Sequence, residues 1–152
     1  MQGRGLRITG CNRTMSYQQP VIYVVDDDQR ARDSVCALVT SMGLASKAFC
    51  SAEEFLKFYS VDLPGCLVTD IRMLGMSGLE LQSKLSEMGS LLPVIVLTAF
   101  ATTPLTVQAI QGGAITLLDK PYLEDDLWNA FRKGLAQDSR KRVESAHRQA
   151  IR

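Results

Sequence analysis

Three successive aspartates, Asp26, Asp27 and Asp28, follow the apolar run Val21–Val25, and Asp70 follows a second such run at residues 66–69. Thr98 closes a third run at 94–97, and Asp119-Lys120-Pro121 closes a fourth at 115–118. Each has an ordinary reading alone. An aspartate after a strand often caps the next helix, and threonine and lysine are common in turns. Gathered together, they could do chemistry. Two carboxylates about 4 Å apart repel by roughly 4 kcal/mol at an effective dielectric of 20. If Asp26, Asp27 and Asp70 meet, they need a cation, and a small oxygen-only site suits Mg²⁺. A carboxylate beside such an ion can attack phosphorus and carry the group as an acyl phosphate. The Thr98 hydroxyl and the Lys120 ammonium are the partners that the phosphoryl oxygens would require.

The elements that must position these residues are legible as a repeating pattern. Strands are expected at Val21–Val25, Ala45–Phe49 and residues 66–69, 94–97 and 115–118. The continuous β-rich run Val21–Val25 marks a strand buried on both faces. Helices are expected over 29–42, from the capping box Ser51-Ala52-Glu53-Glu54, over 77–88, and from Pro104 to Gly112-Gly113. A last helix begins near Leu123, buries Leu127, Phe131 and Leu135, and runs on through Val143, Ala146 and Ala150. Strands alternating with helices imply right-handed crossovers and a doubly wound α/β parallel sheet. Sites in that class lie beyond the carboxyl ends of the strands, at the switch in strand order. The candidate residues all fall there.

Composition bounds the rest. The chain has 152 residues, 46% hydrophobic and 22% charged, enough for one domain with a core. No apolar run approaches the roughly 20 residues that span a bilayer, so no membrane contact is expected. The first 20 residues lack the apolar segment of a secretory signal, and a cytoplasmic location is expected. Cys11, Cys36, Cys50 and Cys66 form no Cys-x-x-Cys pair, and His147 is the one histidine, which argues against zinc and for reduced thiols. Net charge is +1, but residues 132–152 hold seven basic side chains against two acidic ones, and residues 1–13 hold three more basic ones. The body between keeps 7 of the 17 basic and 14 of the 16 acidic residues, a net of −7. An acidic body is a poor nucleic-acid binder and a good collector of cations. The basic tail reads first as a solvated helix face or linker, with nucleic-acid contact second.

A set of longer motifs occurs in order: Val24-Val25-Asp26-Asp27-Asp28, Ser51-Ala52-Glu53-Glu54-Phe55-Leu56, Asp70-Ile71-Arg72-Met73, Gly75-Met76-Ser77-Gly78-Leu79-Glu80-Leu81, Leu92-Pro93-Val94-Ile95-Val96-Leu97-Thr98-Ala99, Ala109-Ile110-Gln111-Gly112-Gly113-Ala114 and Lys120-Pro121-Tyr122. Over residues 20–136 the chain resembles the receiver domain of bacterial two-component response regulators, most closely the FixJ type. The resemblance implies a flavodoxin-like (βα)5 fold with strand order 2-1-3-4-5 and an extended C-terminal helix. It divides the chain into a flexible tail at 1–18, a receiver domain at 19–136, and a helical tail or linker start at 137–152. It implies that Asp70 accepts a phosphoryl group from a histidine of a sensor kinase, with Mg²⁺ as cofactor. Asp26 and Asp27 resemble the acidic pair, Asp27 the direct metal ligand, and the Arg72 backbone carbonyl would complete the shell. Thr98 resembles the switch hydroxyl and Lys120 the lysine that pairs with the phosphate. The Lys120–Pro121 bond is often cis in such proteins.

Phosphorylation would then repack the fourth and fifth helices, a face (here residues 103–111 and 123–131) that forms homodimers in the family. Catalysis would be confined to the chain's own phosphorylation and dephosphorylation, so it is not expected to be an enzyme otherwise. FixJ-type regulators continue into a DNA-binding helix-turn-helix domain. This chain stops at Arg152, about where a linker helix would stand, and reads as a stand-alone receiver or as part of a transcription factor. No direct nucleic-acid contact by the chain itself is expected.

Three departures from the family pattern matter. Leu74 stands where proline is usual, which predicts a looser loop. Leu117 replaces the aromatic residue that swings inward when the threonine moves. Phe100 takes a position that is often polar and often histidine. Arg72 and Phe100 would flank the phosphate and screen it from water, so slow loss of the phosphoryl group is expected. Other classes fit less well. A phosphatase of the haloacid-dehalogenase type needs a second aspartate two residues after the first, where Arg72 stands. A dinucleotide-binding domain needs a glycine-rich turn after the first strand, where three aspartates stand instead. The remaining alternative is a degenerate receiver acting as a phosphate-independent interaction module, against which the intact Asp70, Thr98 and Lys120 argue.

Overall fold

In the central strands, successive side chains point to opposite faces, and both sets are apolar, so helices must cover both sides. The computed structural model describes residues 19–151. The tail expected at 1–18 lies outside the described residues, as does Arg152. The elements run β1 (Val21–Val25), α1 (Gln29–Ser41), β2 (Ala45–Phe49), α2 (Ala52–Phe58), β3 (Gly65–Asp70), α3 (Gly78–Glu87), β4 (Val94–Thr98), α4 (Thr103–Gln111), β5 (Thr116–Asp119) and α5 (Glu124–Ile151). All strand pairs are parallel and the sheet order is β2-β1-β3-β4-β5, the doubly wound order expected. No described helix is long and apolar enough to cross a membrane.

One core packs Tyr23, Val25, Leu67, Val94 and Val96 against Phe55 of α2, Leu81 and Leu85 of α3 and Ala109 of α4. The other packs Ile22, Val24, Val68, Ile95 and Leu97 against Val35 and Val39 of α1 and Leu127 and Phe131 of α5. The alternation of neighbouring residues between the two lists is the strand period of two made visible. Phe49, Phe55, Tyr23 and Tyr59 of the first core and the exposed Phe58 beside them form a chain of ring contacts with centroids 5.3–6.0 Å apart. Such pairs add stabilisation beyond area burial.

Several boundaries differ from expectation in an instructive way. β3 includes Asp70, β4 includes Thr98 and β5 includes Asp119, so these three polar residues are the last rungs of strands rather than the first residues after them. β5 begins at Thr116, one residue later than expected. At α2, Ser51 caps the Glu54 N–H at 3.0 Å, but the Glu54 carboxylate accepts from the Cys50 N–H at 3.3 Å instead of closing the box on Ser51. The reciprocal box lies at α3, between Ser77 and Glu80. Asp28 is the N-cap of α1, accepting from the Arg30 N–H at 3.1 Å, so the third aspartate of the run does take the ordinary role.

The 28-residue α5 is tied to the far end of the sheet by a polar clamp. Asp138, buried, accepts from the Gly65 N–H at 3.0 Å, where β3 begins. Arg142 donates to Asp138 at 2.8 Å, to the Asp62 carbonyl at 3.1 Å, and to the Leu63 carbonyl. Burial pushes the Asp138 carboxyl above its ordinary range, and the Gly65 N–H and the Arg142 charge oppose that rise without cancelling it. The basic face of α5 therefore carries one carboxylate that serves the fold.

Candidate functional site

The in-register ladders bring the strand ends level, and this delivers the candidate residues to one edge. Asp70 pairs with Leu97 across β3 and β4, and Thr98 pairs with Asp119 across β4 and β5. Asp26 follows β1 directly and is buried. Its Oδ1 accepts from the Asp28 N–H at 3.0 Å, and its carbonyl accepts from the Arg32 guanidinium at 2.7 Å. The Lys120 N–H donates to the Thr98 carbonyl at 2.8 Å, after which comes the cis Lys120–Pro121 bond. So placed, the Lys120 ammonium lies 3.0 Å from Asp26 Oδ2 and 3.0 Å from Asp70 Oδ2. Burial alone would lower the affinity of this amine for its proton. Hydrogen bonds to Asp26 and Asp70, and the charges behind them, outweigh it and raise the pKa.

The other residues of the set stand around this pair. Thr98 is fully buried, and its hydroxyl oxygen accepts from the Phe100 N–H at 3.1 Å, which leaves its proton to be donated elsewhere. The Arg72 N–H donates to Asp70 Oδ1 at 3.4 Å, a long bond. The Arg72 guanidinium lies over the Phe100 ring, 4.3 Å from its centroid, so the two residues expected to flank the site stack on one another. Leu117 is partly buried against the core that α2, α3 and α4 cover.

Asp26, Asp70 and Lys120 thus converge, and Asp27 does not join them. Its Oδ2 accepts from the Leu74 N–H at 2.9 Å. Among the described residues no three His, Cys, Asp or Glu side chains are gathered closely enough to hold a metal ion. The Leu74 N–H that holds Asp27 is a donor that a proline at this position would lack.

The loop from β3 to α3 is also better held than the loss of proline suggests. The N–H groups of Leu74, Met76 and Ser77 donate, each at 2.9 Å, to the carboxylates of Asp27, Glu53 and Glu80. Gly75, at φ +79°, lies between the first two, and a Cβ there would lie 2.7 Å from a Glu53 oxygen. The bond from Met76 lowers the Glu53 pKa. Glu53 and Gly78 were not singled out as functional from sequence. A Cβ on Gly78 would lie 2.1 Å from the Asp70 carbonyl oxygen, so this glycine lets α3 start against the backbone of Asp70.

Comparison with known proteins agrees with this fold. Residues 22–132 match the response regulator receiver domain family. The response regulator protein TmoT of Ectopseudomonas mendocina is 43% identical over 121 residues, 80% of this chain and 55% of TmoT. The transcriptional regulatory protein FixJ of Azorhizobium caulinodans is 39% identical over 118 residues, 78% of this chain and 56% of FixJ. Of solved structures, the response regulator StyR has a TM-score of 0.84 at 36% identity, covering 88% of this chain and 68% of that one. FixJ-N has a TM-score of 0.72 at 35% identity, covering 79% and 96%. Fold and matched stretch define a receiver domain of two-component signalling. This chain belongs to the response regulator receiver family, and within it to the FixJ type. It spans about half the length of the curated relatives it matches.

Proposed function

We propose that the chain is a phosphorylation-dependent switch in which Asp70 accepts a phosphoryl group from a phosphohistidine of a sensor kinase. The observation that carries this reading is the Lys120 ammonium held 3.0 Å from Asp26 and from Asp70. In the transfer an Asp70 oxygen forms a P–O bond while the P–N bond breaks, and the imidazole leaves with the bonding pair. Lys120 is placed to neutralise the oxygens that arrive, and the free Thr98 proton can turn to one of them. Catalysis is then confined to gaining and losing the chain's own phosphoryl group.

Receiver domains use Mg²⁺, and this donor set fits it. Asp26 and Asp70 already share one cation, the lysine ammonium, and every candidate donor is oxygen. Asp26, Asp27, Asp70 and the Arg72 carbonyl are the groups that would hold the ion, which supplies charge neutralisation at the phosphoryl oxygens. The output side follows from charge and exposure. A phosphoryl group adds roughly −1.5 to −2 charges, and full switching needs about 5.5 kcal/mol of bias. Val107 and Ile110 of α4 and Trp128 of α5 are exposed, as is Leu123 just before α5, and this surface suits a phosphorylation-driven homodimer. Relatives named as transcriptional regulators, about half of whose length this chain spans, support control of transcription, and a cytoplasmic location and an output domain beyond the matched stretch complete the proposal.

Incubation with Mg²⁺ and acetyl phosphate tests the central claim. A mass gain of one phosphoryl group is expected, and Asp70→Asn abolishes it. A gain that persists in Asp70→Asn refutes the assignment of the acceptor. No gain in the native protein leaves the phosphate-independent interaction module standing.

The Arg72–Phe100 stack carries a second expectation. An exposed cation–π contact of about 0.5–1 kcal/mol holds both groups over the site, so Phe100→Ala hastens loss of the phosphoryl group by roughly two- to fivefold. Timing the decay of the acyl phosphate checks it, and an unchanged half-life removes the screening role.

A further inference from the structure

We propose that the Leu74 backbone N–H is a clasp on Asp27 that competes with the divalent cation, so that cation binding and the conformation of the loop from β3 to α3 are coupled. This rests on the reading of Asp27 as a metal ligand given above. Three observations carry it.

The first is the bond itself, from the Leu74 N–H to Asp27 Oδ2 at 2.9 Å, across 47 positions of sequence. A carboxylate that accepts an N–H loses charge density at the oxygen a hard cation needs. The second is the arrangement it produces. With Asp27 turned to the loop, the acidic side chains at this edge are not gathered as a metal cage among the described residues. A cage that takes Asp27 through Oδ2 breaks the clasp. The third is the behaviour of the next anchors along the loop. Met76 and Ser77 donate to Glu53 and Glu80, which lie on α2 and α3 and belong to no candidate metal shell. Releasing Leu74 therefore frees the first part of the loop, which carries Arg72 and the 84%-exposed Leu74 side chain, while its second part stays fixed.

The device depends on the residue type at one position. Any residue with a backbone N–H can make the clasp, and proline cannot. The Leu74 side chain, pointing to solvent, has no part in it.

Two measurements on the intact chain test the clasp. In an NMR titration of the native protein with Mg²⁺, the Leu74 amide proton is expected to move upfield as its bond to a carboxylate is lost, while the Met76 amide holds its position. By calorimetry, Leu74→Pro is expected to bind Mg²⁺ roughly three- to tenfold more tightly, the span of one net hydrogen bond, and Leu74→Ala within about twofold of the native protein. If Mg²⁺ binds and the Leu74 amide stays where it was, the clasp is refuted and the metal site stands. Weaker binding by Leu74→Pro also refutes it, since the amide would then be orienting Asp27 toward the ion. If the native protein binds no Mg²⁺, the metal assignment fails and takes the clasp with it.

Discussion

Lys120→Met is expected to lower stability at neutral pH by about 2 kcal/mol. Methionine keeps much of the stem and removes the charge, leaving the buried Asp26 and the half-buried Asp70 without the ammonium that lies 3.0 Å from each. Exposed ion pairs contribute about 0–1 kcal/mol, and breaking a buried pair costs about 3–5 kcal/mol. This site is intermediate. Asp26 keeps 8% of its side-chain surface exposed, Asp70 14% and Lys120 22%, so a value between those limits follows. The pH dependence has a definite sign. Burial works against the charged amine, and the two carboxylates more than offset it, so the folded-state pKa stands above the ordinary 10.5. The contribution of the ammonium is complete below the unfolded value and is lost as pH climbs through the folded one. The gap between native protein and variant is therefore flat from neutral pH to about 10 and closes above it. Burial also raises the pKa of Tyr23 and Tyr59, which adds a loss of the same sign in that range to both proteins and cancels in the difference. Urea unfolding across this range measures it. A variant as stable as the native protein throughout would mean that the lysine serves only the phosphoryl group.

The sequence and the structure agree where a single local rule decides the outcome. Val21–Val25 reads as a buried strand because apolar residues on both faces leave no other place for it. The strand ends were displaced by one residue at Asp70, Thr98 and Asp119, because a ladder is built from backbone groups and a polar side chain at the edge does not stop it. The box at Ser77 and Glu80 was legible by the rule applied at Ser51 and Glu54, and it is the better formed of the two. What stayed hidden depends on distant backbone. Asp138 sits in a charged stretch that reads as solvated, yet it is buried because the first N–H of β3, 73 positions away, has no strand partner on that side and takes its carboxylate. Asp27 was assigned by motif to a cation, and its present partner is an amide. The substitution at Leu74 was read as a loss of stiffness when it is also the gain of a donor. Glu53 already had a sufficient local reason to exist, in the first turn of α2 where its charge favours the helix dipole. Its bond to Met76, 23 positions on, could not be read from that reason.

Gly78→Ala is expected to damage chemistry more than stability. The added Cβ would lie 2.1 Å from the Asp70 carbonyl oxygen, 2.9 Å from its carbon and 3.2 Å from Ile71 Cα. All three are backbone atoms at the end of the central strand, so no side chain can swing away to relieve them. The gain in helix propensity, about 1 kcal/mol, is small beside that. Overpacking costs about 1–3 kcal/mol where a core can give, and here the upper end applies. Relief must separate α3 from β3, and the Gly78 N–H, bonded to the Ile71 carbonyl at 3.0 Å, ties the two together. The movement therefore falls on Asp70, whose carboxylate must stay within reach of Lys120. Under conditions where the variant remains folded, its rate of mass gain from acetyl phosphate should fall by an order of magnitude or more, since a misplacement of about 1 Å can cost 10²-fold. Gly89→Ala is the control. Its φ of +75° strains an alanine, but a Cβ there meets nothing within 4 Å, so it costs about 1–2 kcal/mol and leaves the rate alone. Equal rates in the two variants would show that the start of α3 does not set the position of the acceptor.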